Sequence, residues 1–266
     1  MQNQKEYNKK MSPLKLIIDP KYSPKMVEAK IWIREGSRAD PTNQKGLHYL
    51  LGTLLTRGSG PYKNEQFADI VEGCGAGLRC DVNEDGLLIS LKCAEEDQEK
   101  LIPLIGLIVM EPRLDINQIK LEKALTLQHI KKQQESSYQI AFKNWKSIAY
   151  TNLNYKFEPM GIKSDIEAIS RDNLLSISRI IKNREVSMVI SGSIKEAQVK
   201  SLINTIQFNQ IKNSQVLDSS LFDSKKLYSN GIVPNRIITE SQDTSQVVIM
   251  YGNTTAPHNS SDDLKL

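Results

Sequence analysis

The 266-residue sequence predicts an α+β protein in which an antiparallel sheet packs against several helices. Strand-like alternation comes in two pairs, at residues 14–37 and 77–94. Helical periodicity then fills residues 98–182 almost without interruption, and one further strand pattern follows at 185–194. Strands and helices that segregate along a chain favour an antiparallel sheet over a doubly wound parallel one.

The first half of the chain begins with two strands, at 14–19 and 26–37, because apolar and polar residues alternate there and Pro20 ends the first run. Residues 47–56 predict a helix that is stopped by Gly58, Gly60 and Pro61. A second helix follows Asn64. Two strand-like runs meet at Asp85-Gly86, a dipeptide typical of hairpin turns.

The second half is predicted to be mainly helical. The helices are expected at residues 98–110, 116–134 and 138–150, in two short segments beginning "SDIEAIS" and "RDNLLSISRII", and at 195–206 after the strand at 185–194. The apolar run at 101–110 is too short to span a bilayer, so a buried helix is expected there.

Composition along the chain predicts four parts. Residues 1–11 are polar and are expected to form a disordered N-terminus, and residues 12–207 a first domain. Residues 208–234 are rich in serine and asparagine, which is typical of a linker. Residues 235–266 contain two more strand-like runs with no core to bury them, which predicts the truncated start of a second, similar domain.

Composition also excludes several classes of protein. The net charge of +4 is mild and interspersed, so no nucleic-acid partner is expected. Three cysteines without a C-x-x-C pair argue against a disulfide framework or zinc knuckle. The N-terminus has neither an apolar signal region nor the arginines of a transit peptide, which predicts a cytoplasmic protein without membrane insertion.

One segment resembles a known family. The run "IWIREGSRADPTNQKGLHYLLGTLLTRGS" is similar to the signature segment of the insulinase/pitrilysin metallopeptidases, in particular of their mitochondrial-processing-peptidase-like branch. Four further stretches resemble family segments in the same order: "FADIVEGCGAGLRCDVNEDGLLISLKC", "LEKALTLQHIKKQ", "YKFEPMG" and "RIITESQDTSQVVIMYG". Active members carry H-x-x-E-H, in which two histidines bind zinc and the glutamate activates water.

The resemblance implies that this chain lacks those catalytic groups. When the segment is aligned with the family motif on Gly46-Leu47 and Gly58-Ser59, the two histidine positions hold Tyr49 and Thr53, and the glutamate position holds Gly52. The third zinc ligand, a glutamate in active members, corresponds to His129. Of the acidic residues that the family pattern places here, one supporting glutamate is retained, at Glu122. No catalytic residue, bound metal or cofactor is therefore expected in this chain.

His48 lies one residue before the first motif position. The helix around it, residues 47–56, carries no carboxylate, and position 52 on the next turn is glycine. A metal site on a helix needs at least two ligands on one face. We therefore expect His48 to be a core or loop-facing histidine.

The resemblance further implies a role. The chain is expected to be a pseudo-peptidase subunit that completes a peptide-binding chamber with a zinc-bearing homologous partner, in a heterodimer that encloses an extended peptide. An alternative is a structural or assembly subunit of a larger complex, like the core proteins of respiratory complexes in the same family, without any part in peptide cleavage. A third is an active peptidase with an unusual site.

Overall fold

A computed structural model describes residues 14–21, 25–151, 153–194 and 237–252. Five strands occur in this part of the chain: β1 (Leu14–Pro20), β2 (Met26–Ile33), β3 (Gly77–Val82), β4 (Leu87–Ala94) and β5 (Val186–Gly192). Its α-helices are α1 (Leu47–Leu55), α2 (Asn64–Glu72), α3 (Gln98–Met110), α4 (Ile116–Gln133), α5 (Ser137–Ala149), α6 (Lys163–Ala168) and α7 (Arg171–Lys182). The predicted α+β class and the order of these elements are confirmed.

The strands form one sheet in the order β1-β5-β2-β4-β3. All neighbouring strands are antiparallel except β1 and β5, which run parallel. The sheet is therefore mixed, whereas the sequence predicted an antiparallel sheet. The reason is that β5 inserts between β1 and β2. A strand placed between two antiparallel strands must run parallel to one of them.

The two faces of the sheet differ in chemistry because successive side chains of a strand point to opposite sides. One row across all five strands is Leu16, Met188, Ile31, Ile89 and Cys80, and this apolar side faces the helices. The next row is Lys15, Ser187, Trp32, Leu88 and Asp81. That second side carries no described helix of its own and is mixed in polarity.

Helix α1 lies in the middle of the helical layer, in contact with β3, α4 and α7. Its buried leucines, which hold it in the core, are Leu47, Leu50, Leu51, Leu54 and Leu55. The helix at 98–110 is buried as predicted, with Pro103 inside it. Within the described residues no helix combines the length and the apolar character that a bilayer span requires.

Several predictions fall wholly or partly outside the described residues. They are the disordered N-terminus at 1–11, the helix at 195–206, the linker at 208–234 and most of the second domain. Of the predicted second domain the structure describes residues 237–252. They form neither helix nor strand, so the strand-like runs predicted there are not strands in this part of the structure. This segment lies beside α5, where the Asn144 amide donates to Glu240 Oε2 at 2.8 Å. Its apolar side chains are largely exposed, as Val247 and Ile249 show at 86% and 81%.

Candidate functional site

The candidate site is the face that α1 and α4 share, since the five positions implied by the family resemblance all lie on these two helices. Tyr49, Gly52 and Thr53 lie on α1, and Glu122 and His129 lie on α4. The helices contact each other directly. The fold thus brings together the two segments from which a metal site would have to be built.

Gly52 faces strand β3 and is fully enclosed. A Cβ atom added to it would lie 2.3 Å from Val82 Cγ2 and 3.5 Å from Cys80 Sγ. The first distance is far below a van der Waals contact, so any side chain at position 52 requires Val82 to move. The space that a side chain at position 52 would enter is therefore occupied by Val82 of β3.

Tyr49 and Thr53 are one helical turn apart on the half-buried side of α1. The Thr53 hydroxyl donates to the Leu50 carbonyl oxygen at 2.9 Å, so it is bonded within its own helix. Burial and, secondarily, the Glu122 carboxylate raise the pKa of the Tyr49 hydroxyl. A neutral phenol and a bonded hydroxyl are weak substitutes for two imidazoles as ligands of zinc.

Glu122 is the one retained acid, and it is neutralised by an arginine that sequence reasoning missed. Glu122 is 4% exposed, and its Oε1 lies 2.7 Å from Nε of Arg57. Arg57 follows α1 by two residues, so the pair ties the end of α1 to α4. The sequence does contain a signal for this ion pair: a basic residue, Arg57, directly follows the helix predicted at residues 47–56, and an acid, Glu122, lies in another segment that resembles the family.

His129 lies seven residues after Glu122 on α4 and is exposed to solvent. The two side chains do not converge on a common ligand, because one is buried and the other is not. Among the described residues no group of three or more histidine, cysteine, aspartate or glutamate side chains could hold a metal ion. The described residues of α1 and α4 thus do not fit a zinc ion.

His48 is fully buried, and its contacts are structural. Its Nδ1 lies 2.6 Å from Asp40 Oδ1, which also accepts from the His48 backbone N–H at 3.0 Å. Asp40 Oδ2 accepts from the Gly46 N–H at 2.7 Å. Asp40 therefore caps the N-terminus of α1 from six residues upstream, where a carboxylate is favoured by the helix dipole. Position 48 serves the core, as expected.

Beneath this cap lies a second buried acid. Glu35 is 4% exposed and pairs with Arg184, whose Nε is 2.6 Å from Glu35 Oε2. His48 Nε2 lies 3.9 Å from Glu35 Oε1, too far for a hydrogen bond. The polar residues around His48 thus link the end of β2, the start of α1 and the segment before β5.

Comparison with known proteins agrees with this arrangement. The sequence model described as insulinase (peptidase family M16) matches residues 17–161, which is more than half of the chain. The chain therefore belongs to the insulinase family.

Its curated relatives include cytochrome b-c1 complex subunit 1 of Rattus norvegicus, 23% identical over 173 residues that make up 65% of this chain and 36% of that protein. They also include the beta subunit of the mitochondrial-processing peptidase of Neurospora crassa, 23% identical over 182 residues, 67% of this chain and 38% of that one. The chain thus spans little more than a third of the length of these relatives.

Solved structures show the same fold. A protease from Helicobacter pylori superposes with a TM-score of 0.70 at 17% identity, covering 77% of this chain and 50% of that one. A structure described as a peptidase M16 inactive domain from Pseudomonas fluorescens gives 0.69 at 16% identity, covering 76% and 50%. At these identities the likeness concerns the fold.

Proposed function

We propose that this chain is a non-catalytic subunit of a peptidase-type assembly and that it helps to hold an extended peptide in a chamber completed by a zinc-bearing homologous partner. The observation that carries the proposal is Gly52, whose surroundings are filled by Val82 and Cys80. Position 52 is not merely substituted, because Val82 of β3 occupies the space that a side chain there would need. Zinc would be supplied by the partner.

The edge strand β3 supports a peptide-binding role. Within the described sheet β3 pairs with β4 alone, which leaves its other edge free, and it lies directly against α1. An extended peptide can add to such an edge through main-chain hydrogen bonds, which give affinity with little sequence selectivity. Arg79 and Asp81, which project from β3 with side chains 72% and 58% exposed, would then flank the peptide.

The first test uses the chain alone and with a homologue from the same genome that carries an intact H-x-x-E-H motif. The isolated chain is expected to contain no stoichiometric zinc and to cleave no peptide. Mixing it with the homologue is expected to produce a complex with higher peptidase activity than the homologue alone. Stoichiometric zinc together with cleavage by the isolated chain would refute the proposal.

Peptide binding has its own measurement in hydrogen exchange. Addition of an unfolded peptide to the complex is expected to slow amide exchange in Gly77–Val82, because those N–H groups gain partners. The opposite edge strand, Leu14–Pro20, is the internal control and should be unaffected. Equal protection of both edges would point to general stabilisation and not to peptide addition at β3.

A second function is favoured by a different observation, the similarity to subunit 1 of the cytochrome b-c1 complex. In that case the chain would be a structural or assembly subunit with no part in peptide cleavage. A photoactivatable peptide separates the two: labelling of β3 that is competed by unlabelled peptide supports the first function. Absence of labelling, together with purification in a stable larger complex, supports the second. The cytoplasmic location inferred from the sequence remains a prediction under either function.

A further inference from the structure

A cavity of about 370 Å³ lies beside the N-terminus of α1 and is lined by two lysines and an aromatic ring. Lys45, the residue before the cap of α1, is only 6% exposed. Its Nζ donates to the Asp40 carbonyl oxygen at 2.7 Å and lies 5.0 Å from the centre of the Phe157 ring. Lysine is rarely buried to this extent unless its charge is balanced.

The second lysine uses the same ring. Lys156 Nζ lies 5.2 Å from the Phe157 ring centre and donates to the Thr151 carbonyl oxygen at 3.2 Å. Each ammonium has three N–H donors, and within the described part of the chain each of these two donates one hydrogen bond, to a neutral carbonyl oxygen. Two positive charges thus lie near one aromatic ring and line one cavity, and each ammonium retains N–H groups that can donate to a ligand.

The two carboxylates whose charges act on Lys45, Asp40 and Asp165, are hydrogen-bonded to other groups. Asp40 is bonded to His48 and to the start of α1, and Asp165 accepts from the Lys45 backbone N–H at 2.8 Å and from the Ser164 hydroxyl at 3.1 Å. Among the described residues neither ammonium has a carboxylate oxygen within 4.0 Å.

Lys146, on the neighbouring helix α5, is the instructive contrast. It is buried to a similar degree, but its Nζ lies 2.8 Å from Glu84 Oε1 and 3.3 Å from Glu158 Oε1. Among the described residues the fold therefore brings a carboxylate oxygen into direct contact with one buried lysine ammonium of this region and not with the other. Burial lowers the pKa of the Lys45 ammonium. The negative charges of Asp40 and Asp165 partly offset this lowering, and the positive charge of Lys156 adds to it.

We propose that this cavity is a binding site for a phosphate group, held between Lys45 and Lys156. A phosphate carries between one and two negative charges at neutral pH, which matches two ammonium groups better than a single carboxylate does. Thr42 also lines the cavity, and its hydroxyl would add a neutral donor. The cavity is larger than a lone phosphate requires and falls within the range of small-molecule sites, which favours a small phosphomonoester.

The test uses the full chain, with inorganic phosphate and glycerol phosphate as probes and sodium chloride at matched ionic strength as the reference. Lys156→Gln removes one side of the site. Lys163→Gln is the matched control, because Lys163 does not line this cavity and its side chain is 73% exposed. Its Nζ lies 3.9 Å from Glu167 Oε1. Binding is measured by the rise of the unfolding temperature with probe concentration and by calorimetry.

The wild type and Lys163→Gln are expected to bind phosphate equally, and Lys156→Gln to bind about tenfold more weakly, a loss that corresponds to one charge-assisted contact. Phosphate is also expected to slow acetylation of Lys45, read by mass spectrometry without any substitution. Tighter binding of glycerol phosphate than of inorganic phosphate would identify an ester as the ligand, and equal binding the free ion. A phosphate effect equal to that of chloride, or undiminished in Lys156→Gln, would overturn the proposal.

Discussion

The packing of Gly52 against Val82 predicts that a single methyl group at position 52 lowers stability even though it improves helix propensity. Gly52→Ala gains about 0.5–1 kcal/mol because alanine loses less conformational entropy in a helix than glycine does. The new Cβ, however, would lie 2.3 Å from Val82 Cγ2. Forcing a methyl group into a filled space costs about 1–3 kcal/mol. We expect a net loss of about 1 kcal/mol.

Removing the obstructing methyl group should reverse the sign. In a Val82→Ala background Cγ2 is absent, and the nearest remaining atoms are Cys80 Sγ at 3.5 Å and the Cβ of residue 82 at 3.8 Å. Both distances are ordinary contacts, so Gly52→Ala should then stabilise by about 0.5–1 kcal/mol through propensity alone. The coupling between the two substitutions is therefore expected to be about 2 kcal/mol.

The assay is urea unfolding of the four proteins of this cycle, provided that the slopes of the transitions agree. Gly77→Ala serves as the control, because it lies in the same strand as Val82 and an added Cβ there meets nothing within 4 Å. Gly77→Ala should show no coupling to Val82→Ala. If Gly52→Ala stabilised the protein equally in both backgrounds, the inference that β3 fills the catalytic position would be wrong.

Three further predictions concern other contacts. Arg57→Met should destabilise by about 1–2 kcal/mol because Glu122 stays buried without its partner, and the added change Glu122→Gln should recover part of the loss in the same urea assay. Lys146→Met should cost about 2 kcal/mol because it strands Glu84 and Glu158, whereas Lys143→Met on the exposed side of α5 should stay within about 0.5 kcal/mol. Burial and a hydrogen bond to Asp85 raise the pKa of Tyr155 to about 12. Since the folded state favours the neutral phenol, its stabilising contribution is complete below pH ~10 and falls as the pH rises to about 12. This pH dependence should be absent in Tyr155→Phe. Tyrosinate absorbance and the free energy of unfolding, measured at each pH, would show both effects.

The sequence predicted the elements of the fold well because their signals are local. The helix at 98–110 and the hairpin around Asp85 were found where the structure has them, the hairpin turn being fixed by Asn83 Oδ1, which accepts from the Asp85 and Gly86 N–H groups. The parallel pairing of β1 with β5 was missed. It depends on which strand inserts beside which, and hydrophobic alternation looks the same in either direction.

The surroundings of the candidate site could not be predicted from the sequence. The family resemblance implies that Gly52 stands where active members have a glutamate, yet no pattern within α1 indicates that Val82, thirty residues later, fills the space beside it. In the same way, no pattern in the sequence indicates that Asp40 caps α1, which is evident from its contacts with Gly46 and His48. Such contacts join residues whose separation in sequence carries no periodic signal.

One close approach in the fold does not depend on a zinc motif. Gly46 and Gly161 lie face to face: a Cβ on Gly161 would be 2.1 Å from the Lys45 carbonyl oxygen, and one on Gly46 would be 2.5 Å from that of Met160. Both residues have positive φ, +95° and +85°, which also favours glycine. These requirements come from backbone meeting backbone and are independent of any reaction. A genome search for inactive relatives would therefore gain more from this pair of glycines than from the histidines by which active members are recognised.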